Sequence, residues 1–194
     1  MTRSGQVRVF IAVPLDPELR DAAAGLRWHL NSAADVLRWV PPGNLHFTLK
    51  FLGEIAEERL VKVANAVREA AQRTRPFTIT LTGAGAFPSI RRPQVVWVGV
   101  GEGSETLVAL ARDLDAALHQ VKFPRERRPF RPHLTVARAR QGRPLPDLSG
   151  ALGNLQGLVV GSQAVDELVV MESQLHPSGA TYRPIEEVGL GEVA

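Results

Sequence analysis

The sequence predicts an α+β protein of two similar lobes, each an antiparallel sheet backed by helices, facing each other across a central cleft. Strand-like and helical runs follow the order β-α-β-α-β-β in the first half, and a similar order returns in the second. The tetrapeptide His46-Phe47-Thr48-Leu49 recurs 87 positions later as His133-Leu134-Thr135-Val136, each time inside an apolar run. At 194 residues, 44% of them hydrophobic, the chain suits one domain of two lobes sharing a core rather than two unrelated domains. The lobes are expected near residues 1–100 and 101–194, with exchange of strands between them left open.

Residues 7–13 read as the first strand, and Pro17 can open a helix over 18–29 with Leu19, Ala22, Ala23 and Leu26 at helical spacing. Pro41-Pro42-Gly43 turns the chain into the first motif strand, 45–52, which Gly53 closes. A helix over 57–73 buries Leu60, Val63, Ala64 and Val67, and Pro76 stops it. Strands at 77–81 and 95–100 follow, joined by a glycine- and proline-marked loop through Phe87-Pro88. Ser104 caps a helix over 104–121, and an arginine- and proline-rich approach leads to the second motif strand, 130–139. Beyond Pro144 and Pro146 lie a short helical or irregular piece at 148–155 and strands at 158–163, 167–172 and 182–188.

Composition removes several classes of chemistry. The chain has no cysteine, hence no disulfide, thiolate metal site or cysteine nucleophile. No uninterrupted apolar tract of about 18 residues is present to cross a bilayer, and the start lacks a signal-peptide apolar core, so no membrane role and a cytoplasmic location are expected. Eight basic residues lie between Lys122 and Arg143 against one acid, Glu126. That block brackets the second motif and suits an anionic substrate.

Side chains alternate along a strand, so His46 and Thr48 share one face while Phe47 and Leu49 pack on the other. His133 and Thr135 are likewise set against Leu134 and Val136. Each motif offers one proton carrier and one hydroxyl donor. These are the parts for metal-free cleavage of a phosphodiester: a base for the nucleophile, an acid for the leaving oxygen, and donors for the non-bridging oxygens. Imidazole serves in either proton role near neutrality. Threonine holds its hydroxyl on a stiff χ1. Arg131 falls on the face of His133 if the strand already runs through Pro132, which makes it the first candidate for a fixed charge on the phosphate. Asn44 and Lys50 flank the first motif on its histidine face. Lys50 either assists the anion or reaches solvent at the strand end. Arg138 falls on the opposite face, where it would brace the strand. His29, His119 and His176 have no partner motif and read as structural or solvent-facing. No carboxylate accompanies either motif, so no metal is expected. The glycines of residues 99–104 match neither a phosphate-binding loop nor a dinucleotide fingerprint.

At these residues the sequence resembles the 2H phosphoesterase superfamily, and within it the RNA 2′,3′-cyclic phosphodiesterase family, long called 2′-5′ RNA ligase. The likeness extends over nearly the whole chain: residues 8–13, 39–46, 50–54, 85–88, 129–133 and 172–175, with Gly179 and Tyr182. Gln174 stands where arginine is common, and Phe47 where leucine is. The resemblance implies hydrolysis of RNA 2′,3′-cyclic phosphate ends, tRNA fragments among them, to 2′-phosphomonoesters by a cofactor-free monomer. It also implies His46 as proton donor, His133 as proton acceptor, and 2′-5′ ligation as the reverse reaction in some members. The residues themselves do not distinguish donor from acceptor. Two other readings stay open: an RNA- or nucleotide-binding module without turnover, and a phosphodiesterase for small cyclic nucleotides.

Overall fold

Two antiparallel sheets interleave strands from both halves of the chain in the computed structural model, which describes residues 5–33, 36–140, 146–177 and 179–191. Strands β1 (Gln6–Pro14), β3 (His46–Ala56), β8 (Glu167–His176) and β9 (Gly179–Gly189) form the first sheet, in spatial order β3-β1-β8-β9. The second contains β2 (Leu37–Trp39), β4 (Phe77–Ser89), β5 (Arg92–Val100), β6 (His133–Ala139) and β7 (Val159–Val165), in the order β2-β6-β5-β4-β7. The expected α+β class holds. A division of the chain at residue 100 does not follow the sheets, because each takes strands from either side of it.

Helix α1 (Pro17–Gly25) packs on β7. Helices α2 (Leu60–Ala71) and α3 (Ser104–Gln120) pack on each other, with α2 against β8 and β9 and α3 against β3. The short α4 (Ser149–Gly153) touches β4. One continuous core joins these layers. Ile11 and Phe47 from the first sheet, Leu134 and Ile79 from the second, and Leu107, Leu110 and Leu114 from α3 are all fully buried. Each such side chain contributes about 1.5–3 kcal/mol relative to exposure. Phe47, Leu49, Leu134 and Val136 all face this core, as strand alternation requires.

Several boundaries differ from the sequence expectation. The expected first helix is α-helical only to Gly25 and continues as a 3-10 turn over Leu26–Ala33, with a non-helical Leu30. Gly53 does not end its strand: with φ 75° it sits at a register shift inside β3, which runs on to Ala56. The Phe87-Pro88 stretch is not a loop but the far end of β4, paired with β5 in a long hairpin whose cis Phe87-Pro88 bond lies inside the strand. Its turn is only Ile90-Arg91. Ser104 is the first helical residue of α3, and the cap position belongs to Gly103, with φ 76°. The short strand β2 carries no pattern long enough to be read from sequence. Pro144 and Arg143 lie outside the described residues.

Candidate active site

The first motif opens β3 at the edge of one sheet, and the second opens β6 in the other; β3 and β6 are in contact. The two histidines are seated alike. His46 Nδ1–H donates to the carbonyl of Asn44 at 2.8 Å, and His133 Nδ1–H donates to the carbonyl of Arg131 at 2.7 Å, each two residues upstream. A carbonyl only accepts, so both rings carry a proton on Nδ1 and keep Nε2 for chemistry. His46 Nε2 lies 2.9 Å from Thr48 Oγ1. Among the described residues, His133 Nε2 has no partner. Thr48 is exposed and Thr135 half-buried, each on the face of its histidine.

Aromatic rings hold both imidazoles from the side. Phe10 of β1 lies 4.8 Å from the His46 ring, and Tyr182 of β9 meets His46 edge-on at 5.1 Å. The Asn44 side chain donates to the carbonyl of Ala180 at 2.7 Å, which ties the start of β3 to the strand that carries Tyr182. On the other side Phe87 stands edge-on to His133 at 5.1 Å and packs against Trp97 at 5.3 Å. The Trp97 ring covers Gly85 so closely that a Cβ there would come within 2.3 Å of it. Glycine is what lets the indole lie flat behind Phe87.

A β-bulge follows each threonine and decides which flanking residues join the site. In β3, Thr48 pairs with Ala12 and Lys50 with Ile11, so Leu49 is the extra residue and Lys50 turns inward. Lys50 is 4% exposed. It donates to Asp115 Oδ1 at 2.6 Å and to the Pro124 carbonyl at 2.7 Å, with Glu126 at 3.3 Å. It therefore does not reach the anion or solvent. Burial opposes ionisation of Asp115, but the Lys50 ammonium, the Glu126 N–H and Arg125 hold its pKa below the usual carboxylate value.

In β6, Thr135 pairs with Trp97 and Ala137 with Val96, so Val136 is the extra residue and Arg138 returns to the histidine face. The expectation that Arg138 braces the opposite face is thereby corrected. Strand β2 then sets Arg38 directly across from Arg138, and both are exposed. Like charges opposite each other on one face are unfavourable unless an anion lies between them. Arg131 precedes β6, which starts at His133 rather than at residue 130, and its side chain is exposed. Its defined contribution is the carbonyl that orients His133. Sequence alternation missed Arg138 because a bulge leaves no mark in an apolar pattern, and Arg38 because the three-residue β2 is too short to show one.

Burial lowers the pKa of His46, and the positive charge of Arg138 lowers it further, partly offset by the hydrogen bond to Asn44. Gln174 Nε2 donates to Glu172 Oε1, whose carboxyl also pairs with Arg183 and is held below its usual range by these two partners. His29, His119 and His176 are exposed, and His119 Nδ1–H donates to the Phe123 carbonyl. Among the described residues no three His, Asp or Glu side chains cluster.

Two antiparallel sheets that each present a His-x-Thr strand, with aromatic-braced imidazoles and nearby guanidiniums, define a phosphoesterase of the paired-histidine class. Residues 15–177 match the family model described as the 2′-5′ RNA ligase superfamily, and the chain belongs to that superfamily. It is 41% identical to a protein of Methanothermobacter thermautotrophicus named RNA 2′,3′-cyclic phosphodiesterase, over 93% of this chain and 97% of that one. A crystal structure of a Thermus thermophilus protein superposes with a TM-score of 0.79 at 30% identity, covering 96% of this chain and all of the other. The Escherichia coli protein LigT, crystallised with 3′-AMP, gives 0.73 at 28% identity, covering 96% and 99%.

Proposed function

We propose that this protein hydrolyses the 2′,3′-cyclic phosphate end of RNA to a 2′-phosphomonoester, without a metal, by proton transfer at His46 and His133. The observation that carries the reading is the matched seating of the two rings: each Nδ1–H is tied to a carbonyl two residues upstream, so each Nε2 is the working nitrogen. The name of the Methanothermobacter relative agrees with it.

Water attacks phosphorus and gives its proton to His133 Nε2. The bond from phosphorus to the 3′ oxygen breaks, and His46 Nε2 protonates that oxygen, leaving a 3′ hydroxyl and a 2′ phosphate. Thr48, Thr135 and the guanidiniums of Arg138 and Arg38 meet the charge that builds on the non-bridging oxygens. Arg131, fully outside the strand, contributes from the rim. Burial and Arg138 shift His46 toward the neutral ring in the free protein. A bound phosphate supplies the opposite charge and favours the protonated ring, so the acid is armed by its own substrate. With a ribose 5′ hydroxyl in place of water, the same groups in the same roles would form a 2′-5′ linkage: the hydroxyl gives its proton to His133 as it bonds to phosphorus, and the 3′ oxygen leaves with a proton from His46. The whole chain acts as one catalytic unit of two lobes, monomeric and cytoplasmic; no helix among the described residues is long and apolar enough to cross a membrane.

An oligoribonucleotide with a 2′,3′-cyclic phosphate end, incubated with the protein in excess EDTA, should yield the 2′-phosphomonoester. His46→Ala and His133→Ala should each lower turnover on the order of 10²–10⁴-fold. Absence of product from the unaltered chain would leave a binding module. Near-normal turnover in either variant would remove that histidine from its role.

A further inference from the structure

A cavity of about 490 Å³ lies beyond the end of the first motif, between β3 and the segment that leads into β6. Its walls include Phe51, Phe123, Arg125, Arg127 and Arg128, and Lys50 lies at its base. Phe51 follows the Leu49 bulge and Lys50, so it returns to the side of the strand that carries His46 and Thr48; it is 45% exposed. The Arg8 guanidinium sits 4.6 Å from its ring centroid.

The opposite wall is built rather than loose. Arg59 donates to the Val121 carbonyl at 2.9 Å and stacks over Phe123 at 3.9 Å, while Lys50 holds the Pro124 carbonyl. Lys50 and Arg125 are already matched by Asp115, and Lys50 by Glu126 as well. Arg127 and Arg128 are exposed and meet no carboxylate among the described residues. The cavity therefore combines a half-exposed aromatic ring, with Arg8 against one of its faces, and two guanidiniums free of carboxylates among the described residues, while the one acid in its lining, Glu126, pairs with Lys50.

Both walls are continuous with the catalytic strands. Phe51 is five residues from His46, about 16 Å along a strand, and Arg128 is five residues from His133, at most about 18 Å away along the backbone. A strand of RNA whose cyclic end sits between the histidines has its preceding nucleotides within reach of this place. Resting on the function proposed above, we propose that the cavity receives a nucleotide upstream of the cyclic end of single-stranded RNA. Its base stacks on Phe51, and its phosphate lies against Arg127 and Arg128. The enzyme would thereby favour oligomers over mononucleotides.

The test measures kcat/KM on a length series, from a nucleoside 2′,3′-cyclic phosphate to a cyclic-phosphate-ended hexamer, for the unaltered chain, Phe51→Ala and the double variant Arg127→Ala/Arg128→Ala. All three substituted side chains are exposed, so thermal midpoints should match and confirm folding. The unaltered chain should gain efficiency with length. Each variant should lose about 10-fold on the hexamer and nothing on the mononucleotide. The double variant should also show a smaller salt slope, by about 0.7 per lost phosphate contact. No length advantage in the unaltered chain, or an undiminished one in both variants, overturns the inference. If the unaltered chain hydrolyses nothing, the function proposal fails separately. Fluorescence anisotropy of a labelled, 3′-phosphate-ended hexamer then decides: weaker binding by the variants upholds the cavity's role, and equal binding overturns it.

Discussion

At the scale of single residues, the informative pair is His46 and Arg138. Burial removes water that would solvate the imidazolium, and Arg138 adds a like charge, so the folded protein holds His46 below the ordinary histidine value of about 6.5. The free enzyme needs His46 protonated if it is the acid, so kcat/KM should decline as pH rises through that lowered pKa. In Arg138→Gln the repulsion disappears, and the midpoint should move upward even as phosphate affinity falls. Proton NMR titration of the His46 ring reads this directly. A midpoint that stays put in the variant would show that Arg138 does not act on His46. Asn44 works at the same scale: its carbonyl sets the tautomer of His46, and its side chain fixes the Ala180 carbonyl near Tyr182.

Among elements, the bulges after Thr48 and Thr135 shape the site most. Turning Lys50 inward converts a would-be substrate contact into a clamp that joins β3 to α3 and to the segment before β6. Lys50→Met keeps the apolar stem but leaves the Asp115 carboxylate with Arg125 and the Glu126 N–H. Loss of a buried partner costs about 3–5 kcal/mol, and Arg125 softens this, so we expect on the order of 3 kcal/mol in urea unfolding. An unchanged midpoint would make the clamp ornamental. Here the limit of sequence reading is clear. Period-two alternation identified the faces of His46, Thr48, His133 and Thr135 and the burial of Phe47 and Leu134, because those residues precede the bulges. It misplaced Lys50 and Arg138, which follow them. It also took the glycines and Pro88 of β4 for a loop, although these mark register shifts and close ring packing within a paired strand. The supporting place of Phe10, Tyr182, Phe87 and Trp97 has no sign in the alternation, since only the sheet order brings them to the imidazoles.

For the whole molecule, the sheet order matters more than any single contact. β1 lies between β3 and β8, and β5 lies between β4 and β6, so neither sheet is complete without strands from both sides of residue 100. Pairings this distant in sequence form slowly, because loop closure precedes their reward. Expressed separately, residues 1–100 should show no cooperative melt by circular dichroism, and mixing with residues 101–194 should restore one. A sharp transition in the first fragment alone would contradict the interleaving. During synthesis, β1 and β3 leave the ribosome long before β8 exists to cover their free edge, so a nascent chain carries an open strand and an unfinished core until the β8–β9 hairpin emerges. Catalytic competence thus arrives late and all at once: a ribosome-stalled fragment bearing both histidines would still lack the strand that seats Tyr182 against the first of them.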